Sequence, residues 1–231
     1  DLDTLLNKNQ KEAATYLDSH LRIIAGAGSG KTRVVTYRIA HLIQDVGIDP
    51  RSILAITFTN KAANEMKERV NEVVGIHGSG TLICTIHSLC VRFLRQHINV
   101  LNYPSNFTIM DEEDQKALIK KLYTQLEIDA KVISIKSMIN TISSYKTARV
   151  SPQRAIELAG LKKAKVYEAY ENYKEDHFLL DFDDLLLKAV YILDNYPDIL
   201  EKWQRKFQYI HVDEFQDVGE IEYHLVQLLS K

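Results

Sequence analysis

The sequence contains little cysteine, proline or glycine and has no long uncharged apolar run. Its 231 residues include two Cys, four Pro and nine Gly. Two cysteines, Cys84 and Cys90, are too few for a disulfide framework or a zinc finger. The low glycine and proline content excludes a collagen-like chain, and the lack of a long apolar stretch predicts no membrane span. With 45% hydrophobic and 26% charged residues, the chain is predicted to be a soluble globular protein.

The N-terminal segment is polar, without the basic and then apolar pattern of a secretion leader. Together with the low cysteine content, this favours a cytoplasmic location. The first residue is Asp1 and not Met. We therefore expect the chain to be a fragment of a longer protein.

The net charge of −2 conceals a segregation of charge along the chain. Residues 115–174 carry 12 basic and 5 acidic side chains, whereas residues 175–231 carry 5 and 13. Such a basic segment is typical of a region that faces a polyanion, but solvated helix faces give the same counts. Charge alone leaves both interpretations open.

Short apolar runs at residues 21–25, 53–58, 82–86 and 209–212 predict buried parallel strands. Each run precedes a helix-like stretch, and strands that alternate with helices predict a parallel α/β sheet.

More than 120 residues separate the third run from the fourth, whereas a crossover needs about a dozen. We expect a helical insertion there, with helices after an N-cap at Asp111 and over residues 133–144, 152–159 and 164–174. A separate helix is predicted from about residue 181 to a stop before Pro197.

A glycine-rich sequence, AGAGSGKT, lies at residues 25–32 between the first apolar run and a helix-like stretch. Backbone amides of such a loop converge on phosphate oxygens, and the following helix adds the positive end of its dipole. Lys31 is expected to reach the β and γ phosphates and Thr32 to ligate Mg²⁺. The alternative is an ordinary strand-to-helix turn, and Ala25 departs from the strict pattern, which has Gly there.

Two carboxylates, Asp213 and Glu214, follow the fourth apolar run. The end of a parallel strand places them at the carboxyl edge of the sheet, where the phosphate loop is also expected. Asp213 would hold Mg²⁺ through water and Glu214 would orient the attacking water. On its own, such a pair is also typical of an acidic helix start.

Six segments, in order, resemble motifs of the superfamily 1 DNA helicases of the UvrD, PcrA and Rep type, and the resemblance covers nearly the whole chain. They are LNKNQ at 6–10, AGAGSGKTR at 25–33, ITFTNKAANEM at 56–66, TIHSLCVRFLR at 85–95, LDFDDLL at 180–186 and VDEFQD at 212–217. Departures from the family pattern are Ile86 in place of Phe, and Val218 and Gly219 in place of Thr and Asn.

The resemblance implies a set of site residues for ATP, Mg²⁺ and single-stranded DNA. Catalytic roles fall to Glu214, Lys31 and Gln216; ATP binding to Gln10, Ala25, Gly26, Ala27, Gly28, Ser29, Gly30, Lys31, Thr32 and Arg33; Mg²⁺ binding to Thr32 and Asp213; DNA binding to Phe58, Thr59, Asn60 and His87. Without the resemblance, Phe58 reads as a buried strand residue and His87 as a hydrogen-bonded turn histidine.

The fold implied by the resemblance is a RecA-like P-loop NTPase, an α/β domain with a parallel sheet and an inserted all-helical subdomain. Residues 1–106 and 180–231 would form the two segments of the ATP-binding domain, and residues 107–179 the DNA-facing insert.

The implied function is the N-terminal ATP-binding and single-stranded-DNA-binding part of an ATP-dependent 3′ to 5′ helicase or translocase. Its implied partners are single-stranded DNA and the remaining C-terminal helicase domains of the parent chain, with no membrane. Alternatives are the front half of a helicase-nuclease subunit, a nucleotide-dependent DNA-binding module without turnover and, more weakly, a phosphate-loop kinase or GTPase.

Overall fold

A computed structural model describes residues 29–213 and 219–230. The chain divides into two compact units. The first contains the described residues up to Leu89 and from Ile192 onward, and the second spans Cys90–Tyr191. In the described residues, no helix has the length and apolar character needed to cross a membrane.

The described residues form a mixed α/β structure in which helices predominate and both sheets are parallel. The strands are β1 Ile53–Thr57, β2 Leu82–Thr85, β3 Thr108–Ile109, β4 Leu179–Leu180 and β5 Tyr209–Val212. The α-helices are α1 Ser29–His41, α2 Asn60–Val74, α3 Ile86–His97, α4 Glu112–Leu126, α5 Ile135–Thr147, α6 Pro152–Ala159, α7 Leu161–His177, α8 Phe182–Asn195, α9 Pro197–Lys206 and α10 Glu220–Leu229. A π-helical turn, Leu42–Val46, extends α1.

The sheet of the first unit has the strand order β2-β1-β5, with both pairings parallel. This confirms three of the four predicted strands; the run at residues 21–25 lies outside the described residues. Two predicted ends are one residue too long, because β1 stops at Thr57 and β2 at Thr85. The residue after each strand leaves the sheet: Phe58 immediately precedes the N-cap of α2, and Ile86 is the first residue of α3.

Helix α2 follows β1 because an apolar stripe with helical spacing faces the sheet. Ala63, Met66, Val70 and Val74 are buried on it, as their spacing predicts. They pack with residues of α1, β1 and β2 into one core cluster. The helix ends at Gly75, whose φ of 67° is a conformation that favours glycine.

The second unit is built on the predicted helices. Asp111 is the N-cap of α4, as predicted, and forms a reciprocal capping box with Asp114. Its core lies between α4, α5, α6 and α7. The short parallel pair of β3 and β4, in which Thr108 pairs with Leu179, is not predicted by the sequence pattern.

Candidate functional site

The carboxyl ends of three parallel strands meet at one edge of the first unit's sheet. Thr57 of β1 is in register with Thr85 of β2, and Ile56 of β1 with Val212 of β5. The residues that follow the strands therefore emerge at the same edge. Three of the predicted motifs meet there, because this edge carries Phe58, the start of α3 and Asp213.

Phe58 is the first residue beyond β1 at this edge and is 37% exposed, although β1 itself is buried. It is not a buried strand residue. The turn that holds it is fixed on both sides: the Thr57 hydroxyl donates to the Thr59 carbonyl at 3.1 Å, and the Thr59 hydroxyl accepts from the Ala62 amide at 3.1 Å. Thr59 thereby caps α2, and Asn60 is the first residue of that helix. The chain thus presents an aromatic ring and two polar residues on a firm turn.

His87 lies in the first turn of α3 and is half-buried. The Thr85 hydroxyl, at the end of β2, accepts from the Ser88 amide at 3.2 Å and donates to the Ser88 hydroxyl at 2.9 Å. Two hydrogen bonds therefore join the start of α3 to the end of β2, the strand next to the one that Phe58 follows.

Helix α1 begins at Ser29, so that Ser29, Gly30, Lys31 and Thr32 form its first turn. The first four amides of a helix have no intrahelical partner, and they lie at the positive end of the helix dipole. This is the backbone arrangement that binds phosphate. Arg33 follows and is exposed.

Asp213 follows β5 directly and is half-buried. Its amide donates to the Ile56 carbonyl at 2.9 Å, which continues the β1–β5 pairing up to this residue. Carboxylate and hydroxyl oxygens, the groups of aspartate and threonine, are hard ligands of the type that Mg²⁺ prefers. The donor chemistry of Asp213 and Thr32 therefore fits magnesium.

Several predicted site residues lie outside the described residues. They are Gln10, Ala25, Gly26, Ala27, Gly28, Glu214 and Gln216.

A buried hydrogen bond joins α1 to β5. Arg38, which is 0% exposed, donates from Nε to Nε2 of His211 at 2.9 Å. Burial and the positive charge of Arg38 lower the pKa of His211 to about 3. His211 is therefore neutral at physiological pH, and its Nε2 accepts the hydrogen bond from Arg38 Nε.

The start of α8 carries a second polar feature that belongs to the second unit. Asp181 and Asp184 form a reciprocal capping box: the Asp181 amide donates to Asp184 at 3.0 Å, and the Asp184 amide to Asp181 at 2.9 Å. This arrangement satisfies two amides at the helix start. It gives the LDFDDLL segment a structural role at this point of the chain.

Two buried lysines, Lys146 of α5 and Lys174 of α7, neutralise this pair of aspartates. Lys146 Nζ lies 2.9 Å from Asp181 and also donates to Asp184, while Lys174 Nζ lies 2.6 Å from Asp184. The Tyr170 hydroxyl donates to Asp181 at 2.8 Å. Half-buried Glu171 also contacts both ammonium groups. The three carboxylates have the spacing of a metal site, but here the two ammonium groups supply the positive charge.

The pKa values in this cluster follow from burial and charge. Burial acts to lower the pKa of Lys146, but Asp184, Asp181 and Glu171 outweigh it and raise that pKa well above its ordinary value. Burial acts to raise the pKa of Asp184, and Lys174 and Lys146 reverse this and hold it low. Both groups are therefore charged near neutral pH. Two of the twelve basic residues in the segment 115–174 thus serve internal ion pairs and not an outer surface.

Neither the Arg38–His211 bond nor the lysine pair is among the interactions that the sequence predicts. A signal for the first was present, because Arg38 falls among Val34, Val35 and Ile39 on a helix that must face the sheet. The D-x-x-D spacing of Asp181 and Asp184 was a signal for the capping box. Nothing local to Lys146 or Lys174 marks them as buried.

A parallel sheet that brings a GKT-bearing helix start and a strand-terminal aspartate into one unit is consistent with a RecA-like helicase domain. The chain belongs to the family described as UvrD/REP helicase N-terminal domain, whose model matches residues 6–231.

Similar proteins include ATP-dependent DNA helicase PcrA of Bacillus subtilis (strain 168), which is 44% identical over 230 residues, covering 98% of this chain and 31% of that protein. The proteins of the same name from Staphylococcus aureus (strain Mu50) and Staphylococcus epidermidis are 42% and 43% identical over 229 residues, covering 97% of this chain and 31% of each relative. The chain therefore spans about a third of the length of these relatives.

Proposed function

We propose that the chain is the N-terminal ATP-binding and single-stranded-DNA-binding part of an ATP-dependent 3′ to 5′ DNA helicase or translocase. The observation that carries the proposal is the family match over residues 6–231, together with relatives that are named ATP-dependent DNA helicases. The meeting of three motifs at one sheet edge supports it. The rest of the parent chain would supply the further helicase domains that movement along DNA needs.

The ATP site would be centred on the first turn of α1. Its amides and dipole favour phosphate, with the backbone of residues 25–30 around the phosphates and Lys31 on the β and γ groups. Thr32 and Asp213 would hold Mg²⁺, Gln10 would read the adenine, and Arg33 would complete the nucleotide contacts. Glu214 and Gln216 would position water for attack on the γ phosphate. The bound metal supplies charge neutralisation at the phosphates.

The DNA site would be the turn after β1 and the start of α3. Phe58 offers a partly exposed ring on a turn held by two hydrogen bonds. A base stacks on such a ring whatever its identity, so the contact would be independent of sequence. Thr59, Asn60 and His87 would add polar contacts at the same edge.

The architecture we propose is RecA-like, with an all-helical subdomain inserted over residues 107–179 between segments 1–106 and 180–231. The separate core of α4 to α7 supports an insert that packs on its own. The compact unit Cys90–Tyr191 is wider than the proposed insert at both ends. We also propose a cytoplasmic location, in which the buried thiols of Cys84 and Cys90 stay reduced.

The DNA assignment is tested by measuring the affinity of the chain for fluorescent oligothymidylate by anisotropy. Phe58→Ala should weaken binding by about 5- to 150-fold, the stacking contribution of about 1–3 kcal/mol. The matched control is Tyr223→Ala, because Tyr223 has nearly the same exposure, 38%, and lies in the same unit on α10. Both variants should show an unchanged dependence of affinity on salt, because neither removes a phosphate contact.

Equal affinities for the wild type and Phe58→Ala would refute the role of Phe58. Equal losses in the two variants would show that the effect is not specific to the turn after β1.

A further inference from the structure

We propose that the buried Arg38–His211 hydrogen bond is a positioning interaction. It holds Asp213 at a fixed position relative to the first turn of α1, so that Asp213 and Thr32 can hold the same Mg²⁺. The inference rests on the proposed function, because it assigns the metal of that site to these two elements. Arg38 and His211 touch neither metal nor nucleotide in this scheme. They act through the backbone segments that carry the ligands.

The bond joins the two elements that carry the magnesium ligands. Along α1, Arg38 lies six residues after Thr32, which is about 9 Å of helix. Along β5, His211 lies two residues before Asp213, a spacing that returns to the same face of a strand. The Asp213 amide still pairs with the Ile56 carbonyl, so the strand geometry continues to the ligand itself. A displacement of α1 along β5 would therefore have to break the Arg38–His211 bond.

The pair lies in surroundings where an apolar pair would be expected. Arg38 is fully buried, and its neighbours on α1, Val35 and Ile39, belong to the apolar core. A buried charge is costly, and replacement of a buried polar pair by apolar side chains of similar volume is often neutral or stabilising. Apolar contacts are less directional than hydrogen bonds. Dispersion contacts persist when two surfaces slide past each other, whereas a hydrogen bond weakens steeply with misalignment. The polar pair thus fixes the relative position of α1 and β5 more narrowly than packing alone.

Mg²⁺ binding is sensitive to the relative position of α1 and β5. Mg²⁺ demands near-octahedral geometry at distances of about 2.0–2.1 Å to its oxygen ligands. In the proposed site Thr32 would bind the metal directly, and Asp213 would hold it through a bound water. A small shift of Asp213 relative to Thr32 would thus cost metal affinity, while most phosphate contacts of the α1 amides would persist. Loss of the bond should therefore reduce the benefit that Mg²⁺ brings to ATP binding more than it reduces ATP binding itself.

The test measures the coupling between Mg²⁺ and ATP by calorimetry on the 231-residue chain. The coupling is the ratio of the ATP dissociation constant in EDTA to that in excess Mg²⁺. His211→Leu, which removes the acceptor, should lower this ratio about tenfold, the lower end of what loss of a supporting hydrogen bond costs a metal site. His211→Gln keeps an acceptor oxygen and should retain the ratio within about threefold.

A matched control separates positioning from simple destabilisation. Leu225→Ala removes a buried side chain of α10, a helix of the same unit that packs on α9, and should lower the melting temperature without changing the coupling. All measurements are made at a temperature where circular dichroism shows each variant folded. If His211→Leu does not fold, Arg38→Met and the double variant Arg38→Met/His211→Leu take its place; the double variant leaves no unpaired buried charge. These two should show equal losses of coupling, because they break the same bond.

The outcomes separate the inference from the proposed function. A wild-type chain without Mg²⁺-dependent ATP binding would refute the proposed function. If the wild type shows the coupling and the variants that break the bond keep it within about twofold, the positioning role of Arg38 and His211 is wrong and the proposed function stands. An equal loss in Leu225→Ala would also overturn the inference.

Discussion

Replacement of Lys146 by Met should destabilise the second unit far more than loss of a surface ion pair. Lys146 and its partners Asp181 and Asp184 are almost completely buried, and Met fills nearly the same length without a charge. The two aspartates are then left with Lys174 as their remaining ammonium partner. Breaking a buried pair by removing one partner costs about 3–5 kcal/mol. This is a large share of the roughly 5–15 kcal/mol that a folded domain has.

The assay is equilibrium unfolding in urea at pH 7, followed by far-ultraviolet circular dichroism. The matched control is Arg154→Met, which breaks the exposed pair with Glu157 and should cost at most about 1 kcal/mol. A second variant, Lys146→Met/Asp184→Asn, removes one charge of each sign and should lose less than the two single variants added together. A loss in Lys146→Met no greater than in Arg154→Met would refute the reasoning.

The cluster of Lys146, Lys174, Asp181 and Asp184 also predicts how the stability difference between the wild type and Lys146→Met depends on pH. The pKa of Asp184 is lowered, so its contribution to stability is complete above its ordinary value of 3.8 and is lost as the pH falls through the folded value. The pKa of Lys146 is raised, so its contribution is complete below 10.5 and is lost as the pH rises through the folded value. The free-energy difference between the wild type and Lys146→Met should therefore be constant from pH 5 to about pH 9 and shrink only in stronger acid or base. A difference that disappears between pH 5 and pH 7 would contradict these shifts.

Two further predictions concern His211 and turnover. The pKa of His211 falls from 6.5 to about 3 on folding, so between these pH values the unfolded chain binds one more proton than the folded chain, and the free energy of unfolding should fall with decreasing pH by up to about 1.4 kcal/mol per unit. Urea unfolding from pH 6.5 to pH 4 should show a weaker dependence of this free energy on pH for His211→Gln than for the wild type. The same dependence in both proteins would contradict a buried neutral histidine. ATP hydrolysis by this chain should be very slow even with single-stranded DNA, because an arginine from another domain contributes about 10³–10⁵ to turnover in related phosphoryl-transfer systems. Steady-state rates equal to those of a longer chain that includes the proposed C-terminal helicase domains would show that the site is complete without them.

The strands and helices were largely predictable because their signals are local. Apolar runs gave β1, β2 and β5 within one residue, and apolar spacing gave α2 and α8 with their buried residues. Strand ends were less predictable, because the apolar side chains of Phe58 and Ile86 continue the run beyond the last paired residue. The pair β3–β4 was not predictable, because a strand of two residues is too short to show an alternating pattern.

The candidate site was predictable only where its chemistry is local in sequence. The proposed phosphate loop and the strand-terminal aspartate carry their own motifs, and parallel strands must place their carboxyl ends at one edge. The supporting pairs are not local: 173 positions separate Arg38 from His211, and 35 separate Lys146 from Asp181. Arg38 lies among apolar positions of its own helix, but the burial of Lys146 depends on how helices pack, which no spacing along the chain encodes.

The central claim, that the helix start at Ser29 and the aspartate after β5 form a site for Mg·ATP, is tested most directly by calorimetry. The chain should bind ATP in the presence of Mg²⁺, and Lys31→Ala, which removes the charge expected on the β and γ phosphates, should show no measurable binding. Lys67→Ala, at an exposed lysine of α2, is the matched control and should bind like the wild type. No binding by the wild type, or equal affinity in Lys31→Ala, would contradict the account.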